Sequence, residues 1–194
     1  SGIDTPDLSF LNTKNVLDMS YMFANAISLT FLALPKFDTS NVKNMSYMFS
    51  HCELLGFLNL TNFKTNKVTD MSYMFEGCYS MSGVVLNTFI TSSVINMGHM
   101  SANSALLWNF DVSHFDTSKV KDMSYMFSQC KMYTSLNVSK FNTENVENMS
   151  HMFYLNTYVE ELDVSNFNTK NVINMSYMFY GCTSLIKLNV SHLI

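Results

Sequence analysis

Residues 37–52 read F-D-T-S-N-V-K-N-M-S-Y-M-F-S-H-C, and residues 55–60, just beyond, read L-G-F-L-N-L. The passage returns as F-D-T-S-K-V-K-D-M-S-Y-M-F-S-Q-C at 115–130 and as F-N-T-K-N-V-I-N-M-S-Y-M-F-Y-G-C at 167–182. Outward from it, methionine stands at 19, 45, 71, 97, 123, 149 and 175, and again at 22, 48, 74, 100, 126, 152 and 178. Both series advance by a constant step of twenty-six without an insertion and account for fourteen of the 16 methionines; Met81 and Met132 stand apart. Valine keeps the step from Val16 to Val172, and threonine from Thr13 to Thr169. A fixed period between 20 and 50 residues is the signature of a stacked repeat array, in which each position meets the same surroundings once per rung.

Two patterns fill each unit. Met45, Met48, Phe49 and Cys52 fall at i, i+3, i+4 and i+7, which predicts one face of a short helix. The residue before each first methionine is Asp18, Asn44, Asp70, Asn96, Asp122, Asn148 or Asn174, a residue type that caps helix N-termini. A ladder of calcium ligands is the weaker reading of that column. Gly77 and Gly181 sit where such a helix would stop. The L-x-x-L-x-L pattern of Leu55, Leu58 and Leu60 predicts a short strand with one buried face. Strands that recur once per unit leave room for a crossover and are expected to run parallel. The fold expected is therefore an α/β leucine-rich-repeat solenoid, with parallel short strands on one face, short helices on the other and one rung per repeat unit. A parallel β-helix is the alternative.

The array divides into a partial unit at 1–10 and repeats at 11–36, 37–62, 63–88, 89–114, 115–140, 141–166 and 167–192. Ile3, Pro6 and Leu8 align with Leu29, Leu32 and Leu34 one step later. Neither end shows a polar capping unit. A fragment of a longer repeat region is expected, with end-to-end self-association through the uncapped ends. The fourth unit departs from the pattern: M-G-H-M-S-A-N-S leaves Ser101 and Ser104 at two core positions, and Trp108 is the expected filler.

The unit resembles that of the BspA-like leucine-rich-repeat surface proteins, on the M-S-Y-M-F-x-x-C and L-x-x-L-x-L motifs quoted above. The resemblance covers nearly the whole chain. It implies a surface-anchored or secreted repeat region that attaches to host proteins or other cells, and it carries no catalytic set.

Composition narrows the partners. All 11 basic residues are lysine, and the net charge is −4. Without arginine, the residue suited to bidentate phosphate contacts, nucleic-acid binding is not expected. No apolar run approaches the ~18 residues of a membrane span, so no membrane insertion by this segment is expected. Cys52, Cys78, Cys130 and Cys182 share one column. They read as small buried thiols, with a Cys52–Cys78 bridge as the alternative. His99 and His151 share a column, as do His114 and His192, at spacings too wide to chelate one ion. No metal, cofactor or catalytic residue is expected, and the chain is not read as an enzyme.

Two surfaces remain as candidates. Tyr21, Tyr47, Tyr73, Tyr125 and Tyr177 form a column opposite the buried helix face. It reads either as an aromatic ladder open to ligands or as rings lying flat to seal the stack. The other surface is the outward strand face. If Leu58 and Leu60 point inward, Phe57 and Asn59 point outward, with Phe31 and Val85 beside them and Asp111, Glu161 and Asp163 farther along. These columns vary while the framework does not, as either a grafted binding site or drift at solvent positions would produce. The expected function is non-catalytic binding to an extracellular or cell-surface host protein. A structural spacer and a carbohydrate-binding array are the alternatives.

Overall fold

A computed structural model describes residues 7–104, 110–130, 136–191 and 193. Once per repeat unit the backbone returns to lie parallel beside itself. Asp18 bridges Asn44, Asn44 bridges Asp70, and the steps continue through Asn96, Asp122 and Asn148 to Asn174. Elsewhere in the rung, β1 (Phe57–Asn59) pairs in parallel with β2 (Gly83–Val85), and β3 (Glu161–Asp163) with β4 (Lys187–Asn189). Equivalent positions of neighbouring units face each other in both pairs, Leu58 opposite Val84 and Leu162 opposite Leu188. These are the only strands among the described residues.

No helix occurs among the described residues. The expected α/β leucine-rich-repeat solenoid, with helices on one face, is thus corrected. The M-S-Y-M-F segment is a chain of overlapping turns: the N–H groups of Met48, Ser50 and Cys52 donate three residues back, to Met45, Tyr47 and Phe49. The N–H groups between them leave the rung. Met45, Tyr47, Phe49 and His51 donate to Asp70, Ser72, Met74 and Glu76 of the next rung at 2.7–3.0 Å. A helix needs all of these donors for itself. Tyr47 and His51 also adopt φ of 58° and 56°, so the turns that hold them third have the φ signature of type II. The spacing agrees: rings of adjacent rungs lie 4.2–4.4 Å apart from Tyr21 to Tyr73, whereas helix axes pack about 8–10 Å apart.

The i, i+3, i+4, i+7 residues nevertheless point inward, because a chain of turns also brings them to one side. Met45, Met48, Phe49 and Cys52 are all fully buried. Burial of each such side chain contributes roughly 1.5–3 kcal/mol. The Asp/Asn column does not cap helices either. Its side-chain oxygens accept the N–H two residues on, as in Ser46 to Asn44 (2.9 Å) and Ser124 to Asp122 (2.8 Å), forming Asx-turns. The residue preference is the same for both structures, which is why the sequence reads as a cap.

The threonine column brackets successive rungs. The buried Thr39 hydroxyl accepts the N–H of Lys64 at 2.7 Å and donates to the Lys64 carbonyl at 3.0 Å. Thr65 repeats both bonds with Ile90. A buried hydroxyl is thereby satisfied in both roles.

In the fourth rung, Ser101 and Ser104 are fully buried and donate to the carbonyls of Met126 and Phe75 at 2.7 and 2.6 Å. The missing phenyl ring is supplied by Phe110, which inserts edge-on between Phe75 and Phe127. Trp108, the expected filler, lies outside the described residues, as do Ile3, Pro6, Met132 and His192.

Candidate binding surface

Strand alternation sets the outward face. Leu58 and Leu60 are fully buried, while Phe57, just before Leu58, is 46% exposed and Phe31, one rung earlier, 44%. Phe31, Ala33, Pro35, Phe57, Asn59 and Thr61 line a cavity of about 530 Å³ between these two rungs. Where the Asn59 column holds Asn or Asp the corner closes as an Asx-turn, Thr61 N–H to Asn59 (3.0 Å), Ser113 to Asp111 (2.9 Å) and Ser165 to Asp163 (2.9 Å); Val85 in the third rung has no acceptor for it. In the first rung Ala33 has no acceptor and Pro35 no N–H, so the turn is absent. Residues 31–33 form no strand against β1. Asn62 reaches this corner from the next rung, donating to the Leu34 carbonyl at 2.8 Å, as Asn166 does to Val138 at 3.4 Å. His114 makes the corresponding contact with Leu86 at 3.1 Å.

Of the residues read as candidates, Phe31, Phe57 and Asn59 therefore meet in one cavity. Val85 is half-buried on β2, one rung farther. Asp111, Glu161 and Asp163 lie exposed on the same face but beyond the cavity. Ser113 and Ser165, through hydroxyl and backbone N–H, hold the carboxyls of Asp111 and Asp163 below their ordinary value. Glu161 pairs with Lys187 across β3 and β4 at 3.0 Å, with both side chains largely exposed. Such a pair contributes little to stability.

The tyrosine column is continuous. Tyr21, Tyr47, Tyr73, His99, Tyr125, His151 and Tyr177 stack face to face, with centroids 4.2–4.9 Å apart and planes within 19°. Each sits at φ between 55° and 59°, a region unusual for residues with bulky side chains. The stack covers both faces of every interior ring. Tyr47, Tyr73 and Tyr125 are half-buried, whereas the end rings Tyr21 and Tyr177 are exposed. Burial first, and the neighbouring tyrosine next, raises the Tyr47 hydroxyl above its ordinary pKa.

One cluster escaped the sequence reading. The Glu76 carboxylate lies 3.9 Å from His51 and 3.7 Å from His99. The three come from successive rungs at different columns, so no column count reveals them. Among the described residues no three His, Cys, Asp or Glu side chains are arranged to hold a metal ion. The four cysteines are free. Each thiol donates to a carbonyl of the preceding rung: Cys52 to Phe23, Cys78 to Phe49, Cys130 to Ser101 and Cys182 to Phe153, at 3.1–3.2 Å. Burial pushes the Cys52 thiol up to about 11.

The family described as "Mycoplasma protein of unknown function, DUF285" matches residues 2–107, 57–136 and 105–192 in three overlapping registers, as a repeated unit does. No curated protein and no solved structure matches the chain. The chain belongs to the DUF285 family.

Proposed function

We propose that this DUF285 chain is a non-catalytic binding module of a cell-surface or secreted protein, attaching it to extracellular host proteins or to other cells. One observation carries the reading: two phenylalanines, close to half exposed, line an apolar cavity on a face whose alternate residues are fully buried. Contiguous exposed apolar surface marks partner sites more often than scattered single residues do. The BspA-like resemblance of the M-S-Y-M-F-x-x-C and L-x-x-L-x-L motifs supplies the surface location and the attachment role.

A second reading, a rigid spacer, draws on the unbroken ring column and the inter-rung bonds that run beside it. Saturable binding to immobilised extracellular-matrix proteins and to cultured host cells separates the two. The binding module is expected to bind, and Phe31→Ala with Phe57→Ala is expected to abolish binding while the melting temperature falls by only a few degrees. Absence of saturable binding to all of these surfaces would favour the spacer.

A further inference from the structure

Resting on the strand face as the binding surface, we propose that its occupant is an extended protein segment with an aliphatic or aromatic anchor and, about three residues away, a lysine or arginine.

The cavity dictates the anchor. No side chain lining it carries a charge, and most of its wall is carbon from Phe31, Leu32, Ala33, Pro35 and Phe57. A charged group entering it would lose hydration without an opposite charge to replace it, whereas an apolar side chain gains by leaving water. The Asn59 side-chain oxygen is already taken by the N–H and hydroxyl of Thr61. The polar rim is thus held in place beside the apolar floor.

The charge comes from farther along the same face. In the third rung Gly83 stands where Phe57 stood, and Val85 is half-buried, so this rung forms a low shelf beside the cavity. In the fourth rung Asp111 occupies the Asn59 column and is exposed. Ser113 N–H bonds one of its carboxylate oxygens at 2.9 Å and helps hold the group ionised, so it presents a negative charge on the exposed face. Two rungs at about 4.8 Å place that carboxylate about 10 Å beyond Asn59, the reach of roughly three extended residues. Among the described residues, the ionisable groups around this path are His114, whose ring nitrogen bonds Leu86 and which lies near enough to Asp111 to act on its charge, and, beside the 33–37 segment, Lys36 and the acidic Asp7. Farther on, Lys187 neutralises Glu161, and Asp163 adds a second negative charge. Among the described residues the face beyond the cavity is net acidic, which favours a basic flank and repels an acidic one.

The test is selection of a phage-displayed random peptide library on the folded chain, with counter-selection on the Phe31→Ala, Phe57→Ala variant. Enriched peptides are expected to share Phe, Trp, Leu or Ile followed after three or four positions by Lys or Arg. A synthetic consensus peptide should lose about tenfold in affinity against Phe57→Ala. It should lose a smaller factor against Asp111→Asn, and lose affinity as salt rises. Circular dichroism of each variant separates lost binding from lost folding. Enrichment of acidic peptides, of peptides without an apolar anchor, or of no motif overturns the inference. Attachment to matrix proteins and host cells is measured in parallel. If attachment depends on Phe31 and Phe57 but no such motif emerges, only the proposed occupant falls. If attachment itself is absent, the underlying reading falls.

Discussion

Phe110 stands edge-on to Phe75, with ring centroids 6.1 Å apart and planes at 76°. It meets Phe127 in the same way on its other side, at 6.4 Å and 72°. In the other rungs the corresponding rings lie parallel, as in Phe49 on Phe75 at 5.8 Å and 3°. Phe110 thus occupies the level at which Ser101 lacks a ring.

This makes the fourth rung a test of packing by substitution. Phe110→Ala is expected to cost about 3–5 kcal/mol, as a large core truncation does. Ser101→Phe alone is expected to destabilise as well, by overpacking and by loss of the bond to Met126. The double variant should be more stable than the sum of the two losses. Strict additivity in denaturant unfolding would show that the two residues do not share one space.

Core and strand face should respond differently to truncation. Met48→Ala removes a fully buried side chain and is expected to cost about 2–5 kcal/mol. Phe31→Ala and Phe57→Ala, at positions nearly half exposed, are expected to stay within about 0.5–1 kcal/mol each. Denaturation midpoints for the three variants check the contrast, and a Met48→Ala loss below that of Phe57→Ala would reverse the assignment of inside and outside.

The Asx-turns make the fold acid-sensitive in a defined window. Bonds from Ser20, Ser40 and Ser118 hold the carboxyls of Asp18, Asp38 and Asp116 below the ordinary value of 3.8. Because the folded values are the lower ones, this stabilisation is complete above the unfolded value and is lost as pH falls through the folded ones. Stability should therefore hold steady from neutral pH down to about 4 and then decline. Asn44, Asn148 and Asn174 build the same turn with an amide oxygen, which does not titrate. The triple variant Asp18→Asn, Asp38→Asn, Asp116→Asn should show a shallower decline in melting temperature below about pH 4. An unchanged slope would place the acid sensitivity in other groups.

The second positive-φ column offers opposite substitutions at equivalent positions. Gly77 has φ of 68°, and a Cβ there would come within 3 Å of the His51 ring. Gly77→Ala is expected to destabilise by more than the roughly 1–2 kcal/mol of left-handed backbone alone. Gln129 occupies the same column at φ of 58°, so Gln129→Gly should be neutral to stabilising by up to about 1 kcal/mol. Thermal melts decide, and a stabilising Gly77→Ala would refute the backbone argument.

The register of the repeat, the buried methionines and the inward Leu58 and Leu60 were all legible in the sequence, because each repeats at a fixed column. The helix was misread for a physical reason. Spacing at i, i+3, i+4 and i+7 says which residues point one way, and a chain of turns satisfies it as well as a helix does. The deciding facts are where the N–H groups of Met45, Tyr47, Phe49 and His51 go, and those are bonds to another rung. One signal was available: Asn25, Gly77, Asn103 and Gly181 share a column, and Gly with Asn is the preference of left-handed backbone. The tyrosine column offered no such hint, since its φ is held against residue preference by stacking and inter-rung bonds. The cavity at Phe31 and Phe57 was half legible. The exposed rings followed from strand alternation, but the depth of the opening between the two rungs has no counterpart in the spacing of residues.

The alternate donation of N–H groups to the neighbouring rung also constrains how such a chain can change over generations. A whole unit gained or lost leaves every donor opposite an equivalent acceptor. A single residue inserted into the Met-Ser-Tyr-Met-Phe segment would put each outgoing N–H of that rung out of step and break the ring column at the same place. Duplication and deletion of whole units are therefore the changes this architecture tolerates, so related chains should differ in height far more readily than in the length of any one storey.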